Sequence, residues 1–366
     1  MNKVFRLALW FVIVLAFACN RDEELVLSDQ ANLVHLSVAY QGNIYTTSIT
    51  NSAIALLAPL PFHAEYVTIK SLQASPMART NRYSGDTLWV NRGLVHIEVI
   101  AENNQNKKIY SLPLEVADEP DYAQLLFDIP SATNCDHYAT ISIGDWKVEN
   151  NVWNTTGLTN GSYSQCIYTY EDASLQLLGW QWQYPDNAFG VNAYPQLIYG
   201  WKPWLPPSTT SNLPKRIADI QHLKVTYDVE VSRNEGDYNL AFDNWINSSE
   251  NITPQNILFE FMIWEDANNL VPFGDYQEDV VTSNGTYRFY MGDPTWEPPG
   301  SDWTYLAFQR IGNRSQGTVD IDELLAYLVT KGIVAPTHYL SSIELGNEVG
   351  NSSGHAIIKA FQVELN

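Results

Sequence analysis

The chain is short of positive charge. Among its 366 residues, 20 Lys and Arg stand against 41 Asp and Glu, a formal net charge of −21. Nucleic-acid affinity is drawn from cations clustered against phosphates, and no basic patch is present, so a nucleic-acid partner is excluded. Cysteine is scarce too, at three residues, and the seven histidines are scattered. Without a CxxC, an HExxH or a grouped His set, the sequence calls for no metal. Long apolar runs are also missing near the start. Leu7 to Ala18 gives twelve residues, about 18 Å as a helix, against a hydrocarbon core of about 30 Å, so a spanning helix is not expected there. What the chain has in excess is aromatic surface: 12 Trp and 21 Tyr, in a composition that is 13% aromatic, exceed what cores require and suit stacking on flat polar ligands such as sugars. Its apolar content is ample for packing, and at about 100–200 residues per domain its length predicts two domains.

Lys3 and Arg6 precede the apolar run, and Cys19 follows the small-residue ending LAFA. This arrangement resembles the lipobox of bacterial lipoproteins, with residues 1–18 as signal peptide and Cys19 as the lipidated first residue. NRDEE after it resembles the acidic signal that places some Gram-negative lipoproteins on the cell surface; a solvated acidic tether over 19–32 is the plainer reading. The expected location is therefore the outer membrane, with the membrane as partner through the lipid anchor. Cys135 and Cys166 then remain as an even pair in an exported chain and are expected to bridge, for about 3–4 kcal/mol in the chain-entropy account.

Residues 33–116 read as short strands punctuated by turns such as Gln41-Gly42-Asn43 and Ser84-Gly85-Asp86, which predicts a β-sandwich. It resembles the immunoglobulin-like domains of surface glycan-processing lipoproteins, either as a spacer or as a sugar-binding module. Residues 117–132, with Pro120 and Pro130, read as a linker. From 133 to 366 alternating runs at 163–170, 175–184, 196–201, 222–232, 257–264, 286–291, 303–310, 338–348 and 355–365 predict a further all-β domain. One helix interrupts it: Asp320 with Glu323 matches a capping box, Leu324, Leu325 and Leu328 share a face, and Gly332 fits the stop. The fold class is all-β, an immunoglobulin-like sandwich followed by a concanavalin-like two-sheet jelly roll.

Strand alternation sorts the chemistry. In Phe259-Glu260-Phe261-Met262-Ile263-Trp264, the odd positions form a core face, while Glu260, Met262 and Trp264 share the other. Glu344, Gly346 and Glu348 share a face of SSIELGNEV, and Asn239, Ala241, Asp243 and Trp245 one of NLAFDNWI. Acids presented beside Trp and Gly on three strands suit glycoside hydrolysis, which needs a nucleophile, a proton donor and a tuning group. Acidic strand faces are also ordinary in so acidic a chain. A GxSxG match at 350–354 lacks the strand–turn–helix context and the acid that an α/β-hydrolase needs, and is set aside.

In order along the chain, CDHYAT at 135, VENNVWN, Cys166, GWQW at 179–182, YPQLIYGWKPW at 194–204, NLAFDNWI, FEFMIW, DWTYLAF at 302–308 and ELGNEVG at 344–350 resemble glycoside hydrolase family 12, the endo-β-1,4-glucanases and xyloglucan-specific hydrolases. The resemblance implies Glu260 as nucleophile, Glu348 as acid/base and Asp243 as the acid beside the nucleophile. It also implies sugar contacts at Asn151, Trp153, Trp182, Met262 and Trp264, and the disulfide Cys135–Cys166. No cofactor is implied, and the partner is a β-glucan cleaved with retention. Departures from the pattern are Asn347 before the acid/base, Glu265-Asp266 after Trp264, and the Pro- and Trp-bearing stretch 291–302, where Trp296 is a possible added platform. A non-catalytic glycan-binding lipoprotein is the rival reading; a jelly-roll xylanase fits the ordered motifs less well.

Overall fold

A computed structural model describes residues 26–159, 161–172, 175–294 and 302–366. The signal segment, Cys19 and Trp296 lie outside the described residues. The chain divides into two units, residues 1–119 and 120–366.

The first unit is all-β. Its eight strands follow one path: Arg79–Thr80, Val95–Ile100, Lys107–Leu112, Ala53–Leu56, Asn43–Thr50, Leu33–Tyr40, Tyr66–Ala74 and Thr87–Trp89. Gln41 and Gly42 both take positive φ, 46° and 86°, the turn geometry whose twist matches a two-residue hairpin. Alternation then drives Leu36, Val38, Val67, Ile69, Ile97, Val99 and Leu112 into one core.

In the second unit a six-stranded sheet and an eleven-stranded sheet enclose the main core. The small sheet runs Gln316–Asp320, Leu223–Arg233, Ser353–Leu365, Gln176–Gln183, Ser164–Glu171 and Ala132–Asn134. It contributes Ile167, Leu178, Trp180, Trp182, Val225 and Ile358 to the core, against Leu240, Phe242, Phe261, Ile263, Phe308, Ile343 and Leu345 of the large sheet. In the large sheet Ser342–Gly346, Tyr238–Asn247, Ile257–Asn268 and Thr304–Arg310 lie side by side. The last two pair in parallel, the others antiparallel. Cys135 and Cys166 are disulfide-bonded.

Two expectations need correction. Most of the segment read as a linker, from Pro120 on, belongs to the second unit: Leu126 is buried, and the Phe127 ring packs edge-on at 5.1 Å against Tyr168 and lies 5.1 Å from His355. Pro120 and Pro130 bracket a short helical turn over Gln124–Asp128. The helix Ile321–Thr330 buries Ile321, Leu324, Leu325 and Leu328 and is followed by Gly332 at φ 71°, but the capping box does not form. Asp320 instead accepts from the Asn284 backbone N–H and side-chain amide, both at 2.8 Å, and pairs with Lys224. Glu323 accepts from the Ser283 backbone N–H at 2.8 Å, so both acids anchor the neighbouring hairpin turn.

Candidate active site

Because side chains alternate, the face of the large sheet turned away from the core carries what the core excludes. Asp243 is opposite Met262 on one side and Glu344 on the other, while Glu260 is opposite Trp245. One diagonal step therefore separates Asp243 from Glu260, a distance side chains can span. Burial and the charge of Glu260 raise the Asp243 carboxyl well above the ordinary range. Its Oδ1 is buried without a hydrogen-bond partner among the described residues. Trp303 donates its indole N–H to Glu260 Oε2 at 3.0 Å.

Glu348 lies just past the strand Ser342–Gly346, held by a reciprocal clasp with Asn239. The Glu348 backbone N–H donates to Asn239 Oδ1 at 2.7 Å, and Asn239 Nδ2 donates to Glu348 Oε2. Burial raises the Glu348 carboxyl to about 7, against the lowering effect of that amide. Gly346 makes this strand possible where it is: an added Cβ would sit 2.5 Å from the Pro195 carbonyl and 2.9 Å from the Tyr194 ring. On the core side Asn347 accepts from the Trp180 indole and donates to the Asn239 carbonyl, each at 2.7 Å. The asparagine before Glu348 thus ties its strand to the small sheet.

Tyr194, Tyr305, Met262, Trp264, Ala241 and Ala307 form a compact floor. The Tyr194 hydroxyl donates to the Ala241 carbonyl at 2.7 Å, and Met262 sulfur accepts from the Tyr305 hydroxyl at 3.3 Å and the Trp264 indole at 3.5 Å. Burial, then the surrounding carboxylates, hold both tyrosine hydroxyls well above their usual range, so they stay neutral donors. Among the described residues no group of three or more His, Cys, Asp or Glu is arranged to hold a metal. The arrangement is three carboxyl groups, two of them held above their ordinary range, beside an indole donor, which is the equipment of acid/base and nucleophilic chemistry at an acetal.

The sequence profile described as glycosyl hydrolase family 12 matches residues 144–366, more than half of the chain. The chain belongs to that family. It is 28% identical over 222 residues to endoglucanase S of Pectobacterium parmentieri, spanning 59% of this chain and 80% of that one. It is 22% identical to xyloglucan-specific endo-β-1,4-glucanase A of Emericella nidulans, over 58% of this chain and 82% of that one. Among solved structures, a family 12 xyloglucanase from Bacillus licheniformis superposes with TM-score 0.59 at 27% identity, covering 64% of this chain and all of that one. The protein is a glycoside hydrolase, and its second unit is the family's β-fold.

Within this family 12 fold, Glu260, Asp243, Met262 and Trp264 lie on one face of the large sheet, with Glu348 just past its strand. Asn151 and Trp153 follow the strand Trp146–Glu149, and Trp153 leaves 45% of its surface exposed. Trp182 does not join them. It is 2% exposed in the core between the sheets, donates to Ser352 Oγ at 3.0 Å and stacks on Tyr238. Its strand alternation turns it toward the core, so it is a packing residue. Trp264, at 3% exposure, has no free ring face for a sugar and serves as floor. Sequence reading passed over Tyr194, Lys202, Trp303 and Tyr305, although all lie inside quoted motifs, and placed Asn239 on the face of Asp243 without giving it a role. Trp204, 45% exposed and edge-on to Trp245 at 4.8 Å, was passed over as well.

Glu265 also finds an explanation. The ladder skips a residue here, pairing Leu240 with Asp266 and Ala241 with Trp264, so Glu265 bulges toward the core. There it accepts from Tyr227 at 2.6 Å and Tyr287 at 2.8 Å and pairs with Arg314.

Proposed function

We propose that this glycoside hydrolase is endo-acting, cleaves β-1,4-glucan backbones and retains anomeric configuration. The observation that carries the reading is the juxtaposition of Glu260, Asp243 and Glu348 with unlike surroundings: Glu260 accepts an indole N–H, while Glu348 is held near pKa 7 by burial. Glu260 attacks the anomeric carbon as Glu348 transfers its proton to the departing glycosidic oxygen, leaving a glycosyl ester on Glu260. Water then gives a proton to Glu348 and attacks the same carbon, restoring both carboxyl groups. A protonated Asp243, one diagonal step away, is placed to donate to Glu260 and so favour the ionised nucleophile. Trp153 offers an exposed ring for stacking, which tolerates sliding of a polymer. The names of the relatives, an endoglucanase and xyloglucan-specific enzymes, support a β-1,4-glucan as substrate.

A surface protein that only captures glycan would have the same aromatics but no use for three carboxyls gathered on one face with two of them held above their ordinary range. The first unit is proposed to be an immunoglobulin-like spacer, and Cys19 a lipid anchor holding the enzyme at the outer surface of the cell. Reducing-sugar release from soluble xyloglucan, mixed-linkage glucan and carboxymethylcellulose tests the activity. Glu260→Gln and Glu348→Gln are expected to lose nearly all turnover while still binding polymer. Proton NMR of the first product should show the β-anomer; initial α-anomer would rule out retention.

A further inference from the structure

A buried lysine needs a counter-charge, and one carboxylate is enough. Lys202, in the turn after Gln196–Gly200, has two. Its side chain is 7% exposed, and Nζ donates to Glu149 Oε2 at 2.6 Å, an oxygen that also accepts from Gln196 Nε2 at 2.8 Å. On its other side Glu344 Oε2 lies 3.9 Å away, while Glu344 Oε1 accepts from Ser342 Oγ at 2.6 Å. Glu344 is completely buried and is the cross-strand partner of Asp243. Glu149, Lys202, Glu344 and Asp243 therefore form a line of ionisable groups that runs along this face of the sheet to the side of Glu260. The reaction proposed above uses neither Lys202 nor Glu344.

We propose that Lys202 acts through Glu344 as a positioning residue for that reaction: the ammonium sets the charge on Glu344, and this charge sets how firmly Asp243 keeps the proton it offers to Glu260. The groups facing Asp243 are Glu344 on its own side of the ladder, Glu260 across the other, Glu348 beyond the strand end, and the neutral hydroxyls of Tyr194 and Tyr305. Lys202 is the cation acting among them. Burial raises the Glu344 carboxyl to about 7, opposed by Lys202 and the Ser342 hydroxyl, so the charge of this residue changes within the range where such an enzyme would work. Burial would strip Lys202 of its proton, but Glu149 and Glu344 more than offset this and hold it charged.

Loss of either partner then removes the same charge and shifts titration in the same direction, which a merely structural pair would not do. Glu344→Gln removes the negative charge with little change of shape and should move titration of the Asp243–Glu260 pair down by about one pH unit. Lys202→Met, which lets the buried Glu344 take up a proton and lose its charge, should move it down too. Both are to be made in the full chain, with folding checked by near-ultraviolet circular dichroism. Carboxyl ¹³C NMR of labelled protein, assigned with Asp243→Asn and Glu260→Gln, reads the titration without substrate; kcat and kcat/KM against pH on soluble xyloglucan read its effect on turnover. The expected result for Glu344→Gln is a downward shift in both, with KM within about twofold. A folded Glu344→Gln variant whose titration and profile coincide with wild type, or which loses rate uniformly with no shift, overturns the proposal. If Lys202→Met does not fold, Glu344→Gln decides alone. If wild type turns over no glucan, the reaction reading fails, while the NMR arm still decides whether Glu344 governs the pair.

Discussion

Trp303 is the residue whose role is most separable. Its indole N–H reaches Glu260 Oε2, while its ring packs edge-on to Trp245 at 5.6 Å. Phe keeps the packing and removes the donor. A hydrogen bond to the ionised carboxylate favours that form, so losing it raises the pKa of Glu260, and the acid limb of the pH–rate profile should move upward in Trp303→Phe. An acid limb that does not move would leave Trp303 as packing alone. Glu348 gives a second test, in stability. Its folded pKa, about 7, lies above the unfolded value, so the native state holds the extra proton between the two. Stability contributed by this group is present below about pH 4.3 and is lost as pH rises toward 7. Glu348→Gln does not titrate, so its stability relative to wild type should grow by about 3 kcal/mol between pH 4 and pH 8, seen by calorimetry as a changing gap in Tm. A constant gap would mean that the carboxyl is not held near neutrality.

Among the elements, the strand Ile257–Asn268 has different work on its two faces, and the bulge at Glu265 lets one strand do both. Arg314→Met would leave the Glu265 carboxylate buried with only two tyrosine hydroxyls. The expected cost is about 3–5 kcal/mol, read as an earlier urea midpoint by tryptophan fluorescence. The faces of this strand were legible in the sequence because the period-two pattern holds from Phe259 to Trp264 and ends where the bulge begins. Neither the bulge nor the partners of Glu265 were legible, since Tyr227, Tyr287 and Arg314 are brought to it only by the fold. The helix shows the converse. Asp320 and Glu323 carry a local capping signature, yet a hairpin turn 36 and 40 residues away in sequence takes both side chains. Trp182 failed for a related reason: a Trp inside a family motif was read for what it could bind, while its strand position turned it into the core.

On the scale of the molecule, two cores with no shared residue predict two separable parts. A chain starting at Pro120 should fold and keep most of its turnover on soluble glucan; a large loss in a folded truncation would mean that the first unit completes the cleft. The all-β class and a division into two units were readable from length, turn spacing and strand alternation. The boundary was not, because proline punctuation looks the same around a free linker and around the packed turn at Gln124–Asp128. Lys202 and Glu344 were unreadable as a pair, since 142 positions separate residues whose charges nearly touch.

The strand Ser353–Leu365 lies inside the small sheet, pairing with Leu223–Arg233 on one edge and Gln176–Gln183 on the other. Trp182 and Gly354 meet across 172 positions of chain. Contacts of such long range must close large loops before they return any stability, which makes folding slow. A growing chain therefore cannot complete its second core until this strand has emerged. Chains released before residue 353 would lack a central strand rather than an edge, so a prematurely ended product would be cleared as unfolded material instead of persisting as a crippled enzyme.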